Sequence, residues 1–196
     1  DSLVRSGKVR YIGASSMAAW QFAEALFTSD IAGFQRFATM QNHYNLLYRE
    51  EERDMIPLCL DQGVGLLPWS PLARGFLTGS HTRENPRPTK RAQSDEYADR
   101  MYFRDEDFDV VDALLEVARA RGEKPSAIAL AWLLSVPGVV APIVGATRHD
   151  YIDDAVRAVE IELTEDEIEK LESPYRPHPI LGHDQPGPRE FGARGR

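Results

Sequence analysis

The chain is poor in cysteine, in basic charge and in long apolar runs. Its single thiol, Cys59, rules out an internal disulfide framework and points to a reducing compartment, read here as the cytoplasm. Cys59 lies in an apolar helical pattern with no cationic neighbour to favour a thiolate, so a buried structural thiol is expected. Against 31 Asp and Glu there are only 23 Lys and Arg, a formal net charge of −8. That balance argues against a nucleic-acid partner, whose phosphates need a basic face. No stretch approaches the roughly 20 apolar residues of a membrane span. The opening DSLVRSGKVR lacks the basic and apolar regions of a signal peptide, and no initiating methionine precedes it, which fits a chain cut from a longer one. No strand pattern is followed by G-x-G-x-x-G, so the dinucleotide fingerprint of a doubly wound sheet is missing.

What is present alternates between short apolar strands and helices. Lys8–Ser15 reads as a strand, followed by a helix from Met17 to Phe27 with Ser15 or Ser16 as its N-cap. A second strand covers about Ala38–Asn42, a helix Glu50–Gln62 closes at Gly63, and a third strand runs Val64–Trp69. Residues 78–105, with Pro86, Pro88 and many charges, read as a long surface loop. Helices are expected over Asp105–Arg121 and Ser126–Ser135, a fourth strand near Val139–Val144, and a helix over 149–158. Thr164 and Glu167 form the Thr-x-x-Glu box of a last helix ending at Glu172. Residues 1–173 then make the domain, and 174–196 an extended, Pro- and Gly-rich tail.

This order implies an α/β fold with a parallel sheet covered by helices. The first strand-to-strand steps, about 25 to 30 residues, match one unit of an eight-fold (β/α)8 TIM-type barrel. Four units make a half barrel; a doubly wound sheet is the alternative. In such barrels the working groups lie at the C-terminal strand ends. Here those ends are Ser15-Ser16, Gln41-Asn42, Trp69-Ser70-Pro71-Leu72 and Gly145-Ala146-Thr147-Arg148. Hydroxyls and amides can hold a carboxamide in both directions, an indole offers a flat π face, and an arginine forks a phosphate. Helix N-termini after Ser16 and Thr147 add partial positive charge. Each also has a plainer reading: the serines as caps, Trp69 as core, Arg148 as a solvated charge. His43 beside Tyr44 suits acid–base work or a structural role, and Asp105-Glu106-Asp107 reads as a solvated helix start rather than a metal site.

Four segments, GKVRYIGASS, MQNHYNLLYREEERDMIPLC, GVGLLPWSPLARGFLTG and PIVGATRHDYIDDAV, resemble the C-terminal half of aldo-keto reductases, in order and spacing, over roughly residues 5–175. The segment ESPYRPHPILGH is similar to the end of bacterial members related to general stress proteins and aryl-alcohol dehydrogenases. The resemblance implies NADPH lying extended across a (β/α)8 barrel and a small carbonyl substrate. By position it assigns the nicotinamide carboxamide to Ser15, Ser16 and Gln41, and the nicotinamide face to Trp69. Ser70, Pro71, Leu72, Arg74 and Gly75 would wrap the pyrophosphate. Gly145, Ala146, Thr147 and Arg148 would take the adenosine end, with Arg148 on the 2′-phosphate and Tyr151 and Asp154 beside the adenine. Many relatives carry Glu-Asn where this chain has Asp154-Ala155. The family's catalytic Asp, Tyr, Lys and His belong to a D-x-A-x-x-Y-G half that these residues do not contain, so no catalytic residue is assigned. The alternatives are a non-catalytic NADP-binding or regulatory protein of the same fold, or an inactive truncated product. A half barrel has two unpaired strand edges, which invites self-association or pairing with an N-terminal half.

Overall fold

The computed structural model describes residues 1–88 and 90–181. A short helix α1 (Ser2–Arg5) leads into a parallel sheet ordered β1-β2-β3, with β1 Ile12–Ser15, β2 Phe37–Gln41 and β3 Gly65–Leu66. Parallel neighbours need a crossover, and each crossover carries a helix: α2 (Ala19–Ala32) after β1 and α3 (Met55–Gln62) after β2. The β1–β2 register slips between Ile12 and Gly13, where a Cβ on Gly13 would come within 2.4 Å of Thr39 Oγ1.

As a regular element β3 ends at Leu66, although the Leu67 N–H still donates to the Met40 carbonyl at 2.8 Å. Its line resumes in one bridge, His43 to Trp69, where the Trp69 N–H donates to the Asn42 carbonyl at 2.9 Å. The fourth strand expected over Val139–Val144 does not form as an element. That segment runs beside β3 through three backbone hydrogen bonds: Leu66 N to Gly138 O (2.8 Å), Val140 N to Leu66 O (3.0 Å) and Ile143 N to Pro68 O (2.8 Å). It makes a single bridge, Leu66 to Val139, because Pro142 removes a donor and β3 offers only two residues. The α/β class and parallel order are as expected; in place of four strands, the described residues hold three and a bridged segment.

After a 3-10 turn at Ala73–Thr78 come α4 (Lys90–Ser94), α5 (Glu96–Met101), α6 (Asp105–Arg121), α7 (Pro125–Ser135), α8 (His149–Ala158) and α9 (Glu165–Glu172). Helix α7 is apolar all round, and Ser126 through Leu133 are buried between its neighbours α6 and α8 and the turn at 73–78. Met40 and Leu66 from the sheet, Phe22 and Leu26 from α2, and Leu114, Ile128 and Trp132 from α6 and α7 share one core.

Three local expectations change. The 78–105 loop contains α4 and α5, because Asp95 Oδ1 caps α5 at the Ala98 N–H (3.0 Å) and Ala98, Met101 and Tyr102 reach the core. The helix expected over Glu50–Gln62 breaks into a 3-10 turn, Glu50–Glu52, and α3. The chain leaves helical geometry at Asp54 (φ −136°); in the turn before it, the buried Glu50 carboxylate accepts from Tyr175 Oη (2.7 Å) and Arg53 Nε (2.5 Å). Neither Ser15 nor Ser16 caps α2: the N-cap is Ala18, whose N–H donates to Gln21 Oε1. Of the tail expected from Pro174 onward, residues 174–181 form no regular element yet are tied down. Tyr48 Oη exchanges hydrogen bonds with Leu181 N and O (2.9 and 3.2 Å), and His178 Nε2 meets Asp107 Oδ1 at 2.9 Å, both side chains buried. The remainder of that tail, 182–196, lies outside the described residues.

Candidate functional site

The C-terminal ends of the strands bring four of the expected residues together. Ser15 and Gln41 are register partners; the Ser15 hydroxyl and the Ser16 N–H both donate to the Gln41 carbonyl, at 3.1 and 3.0 Å. The Trp69 indole N–H donates to Ser16 Oγ at 2.9 Å. The Ser15 and Gln41 side chains face solvent, while Trp69 is half-buried. With capping left to Ala18 and Gln21, both serines are available to the strand ends.

Past Trp69 the backbone leaves the ordinary regions. Ser70, Ala73 and Arg74 take φ of 51°, 47° and 56°, and Gly75 takes 104°. Three Cβ-bearing residues in left-handed geometry within five positions carry strain, and such clusters gather at ligand clamps. The N–H groups of Ser70 and Leu72 have no hydrogen-bond partner among the described residues, and neither have those of Gly145, Ala146 and Thr147. Ile143, bonded to the Pro68 carbonyl, brings this second amide-bearing stretch alongside the first. Pro71 is buried beneath the loop and Leu72 packs on the core.

The charged members are placed differently. Arg74 is held by Asp95 Oδ2, with Nε and Nη2 at 2.8 and 2.7 Å, and lies 5.3 Å over the Tyr97 ring. Arg148, exposed at the N-cap of α8, makes a two-pronged contact with Asp150 (2.9 Å for each prong) and lies over the exposed Tyr151 ring. The Asp154 carboxylate accepts from Lys124 Nζ (2.6 Å) and Ser126 Oγ (3.1 Å), so it fastens α8 to α7.

Behind the strand ends lies a polar cluster that the sequence signalled only as the run Asn42-His43-Tyr44-Asn45. His43 is sandwiched between Tyr48 (4.2 Å, 11°) and Trp69 (4.3 Å, 13°). Its Nε2 is 2.7 Å from Tyr102 Oη, and Asn45 Nδ2 donates to Tyr102 Oη (3.1 Å) and to the Ser70 carbonyl (2.9 Å). His43 Nδ1 and Asn42 Oδ1 are buried without a partner among the described residues. Burial, with His178 nearby, lowers the His43 pKa to about 3, so the ring is neutral and not poised for acid–base work. Tyr44 donates to Glu52 Oε1 at 2.6 Å, and burial drives its pKa up, which leaves it a structural phenol. The thiol of Cys59 is pushed up to about 12 by burial, as expected of a core cysteine. Among the described residues no group of His, Cys, Asp and Glu could hold a metal ion, and no helix is long and apolar enough to cross a membrane.

Residues 1–176 match the Aldo/keto reductase family. The chain is 44% identical to versiconal hemiacetal acetate reductase of Aspergillus parasiticus, over 92% of its own length and 52% of the relative's. It is likewise 44% identical to a Schizosaccharomyces pombe protein provisionally designated an aryl-alcohol dehydrogenase, covering 93% of this chain and 51% of that one. A crystal structure of a thermostable aldo-keto reductase in complex with the inhibitor epalrestat superposes with a TM-score of 0.65 at 29% identity, covering 88% of this chain and 51% of that one. The chain thus spans about half the length of the curated relatives it matches. On this evidence the chain belongs to the aldo/keto reductase family.

Proposed function

We propose that this chain supplies the NADPH-binding part of a cytoplasmic oxidoreductase that reduces aldehydes or ketones. The observation that supports it most is the presence, at the strand ends, of one flat indole and two stretches of backbone amides unpaired among the described residues. An extended dinucleotide needs this set: a ring platform, anion-binding N–H groups and a cation at the far end. In this reading Ser15, Ser16 and Gln41 orient the carboxamide, and Trp69 carries the nicotinamide. Ser70, Pro71, Leu72, Arg74 and Gly75 surround the pyrophosphate, with Arg74 steadied by Asp95. Gly145, Ala146, Thr147 and Arg148 receive the adenosine end, Tyr151 lies beside the adenine, and Asp154 acts there by fixing α8. When bound, the dinucleotide supplies the hydride. These residues hold and orient it, and we assign the carbonyl-protonating acid to none of them.

Arg148 tests the reading. It would exchange its Asp150 partner for the 2′-phosphate. Arg148→Ala should weaken NADPH by about ten- to a hundredfold, the scale of a charged hydrogen bond, and leave NADH nearly unchanged. Equal losses for both nucleotides in a binding titration would overturn the assignment.

A further inference from the structure

His43 has no place in the contacts proposed above, yet its surroundings fix it from three sides. Tyr48 stacks on one face, Trp69 on the other, and Tyr102 and Asn45 clamp its Nε2 edge. Asn45 Nδ2 donates to Tyr102 Oη at 3.1 Å, and Tyr102 Oη and His43 Nε2 share one hydrogen bond at 2.7 Å, which fixes the ring's edge. Trp69 has far fewer restraints: its backbone bridge, one edge bond to Ser16, and His43 behind it. Among the described residues no other ring stacks on the indole. The plane of the indole is therefore inherited from His43, whose own plane is set by Tyr48 and Tyr102. Through the Ser70 carbonyl, Asn45 ties the same cluster to the first left-handed residue of the amide-bearing loop.

Resting on the cofactor reading above, we propose that His43 is a positioning residue: the middle layer of a Tyr48–His43–Trp69 stack that holds the indole flat for the nicotinamide. Its charge state suits the place, since the ring beyond the indole becomes cationic on oxidation and a neutral layer behind it adds no repulsion. Phenylalanine at 43 would keep the layer, whereas leucine would fill much of the slot without a π face.

The test uses the 196-residue chain, taking as the Trp69 signal the difference between it and Trp69→Phe. Without ligand, His43→Leu should make Trp69 emission more accessible to acrylamide, and His43→Phe should leave it shielded. With NADP⁺, His43→Leu should raise the Kd read from Trp69 quenching about three- to tenfold, the weight of one aromatic pair, and His43→Phe should stay close to wild type. A folded His43→Leu that stays shielded and binds as tightly as wild type would overturn the proposal. So would a His43→Phe that behaves like His43→Leu, since the hydrogen bonds rather than the stack would then be at work. If NADP⁺ leaves Trp69 unquenched in the wild-type chain, the cofactor reading fails, and the acrylamide comparison still decides whether His43 sets the indole. Should His43→Leu not fold, His43→Met, another side chain without a ring, is held to the same criteria.

Discussion

At Glu51, burial pushes the carboxyl from its ordinary 4.5 up to about 7, with only Asn42 Nδ2 at 3.4 Å to favour the ionised form. The folded chain therefore binds this proton more tightly than the unfolded one, and stability falls as pH rises from 4.5 through 7, by up to about 3 kcal/mol. His43 works the other way. Its pKa drops from 6.5 to about 3, so the unfolded chain binds the proton more tightly, and stability rises between pH 3 and 6.5. From 4.5 to 6.5 the two slopes oppose each other. Urea unfolding from pH 3.5 to 8 should show Glu51→Gln losing a falling arm above pH 6.5, and His43→Phe losing a rising arm below 4.5. Variant profiles parallel to wild type would remove both groups from the balance. Neither burial was legible in the sequence, where Glu51 is one of three consecutive glutamates and His43 lies in a polar run.

Helix α9 shows what local chemistry can specify alone. Its capping box is present as expected: Thr164 Oγ1 accepts from the Glu167 N–H (3.3 Å), and Glu167 Oε2 accepts from the Thr164 N–H (2.8 Å). Thr164→Ala should cost about 1 kcal/mol in urea unfolding and Thr164→Ser almost nothing. Equal losses would mean that the methyl group, not the hydroxyl, matters. The helix expected over 149–158 is α8 (His149–Ala158). What the sequence hid depended on distant partners. Glu50 is buried because Tyr175, 125 residues away, donates to its carboxylate at 2.7 Å. The segment near 139–144 reads as a strand from its own apolar residues, but its pairing depends on how short β3 is. At the candidate site, strand-end positions were readable from spacing, whereas the Asp95 and Asp150 partners of Arg74 and Arg148 appear only in the fold.

For the whole molecule, the exposed apolar side chains set the expectation. Helix α8 and its C-cap expose Ile152, Val156 and Val159 at 50%, 61% and 73%, and Val140 and Ile143, on the segment that edges β3, are exposed as well. At the opposite edge of the sheet, α2 exposes Phe27 and Ile31. Purified alone, the chain should associate as concentration rises, read by light scattering, and should not oxidise NADPH with an aromatic aldehyde, since the expected general acid is worth about 10²–10⁴-fold. A monomer at all concentrations with brisk turnover would refute both expectations and send the search for the acid back to this chain. The strap at 174–181 adds a matter of timing. Tyr175 and Leu181 close contacts with Glu50 and Tyr48 across 125 and 133 residues of chain, so these ties cannot form while the strap is still inside the ribosome. Until then the Glu50 carboxylate has only Arg53 and the Tyr48 ring only His43, and a nascent chain stalled before residue 175 would be more open to proteases at the place the strap covers in the finished one.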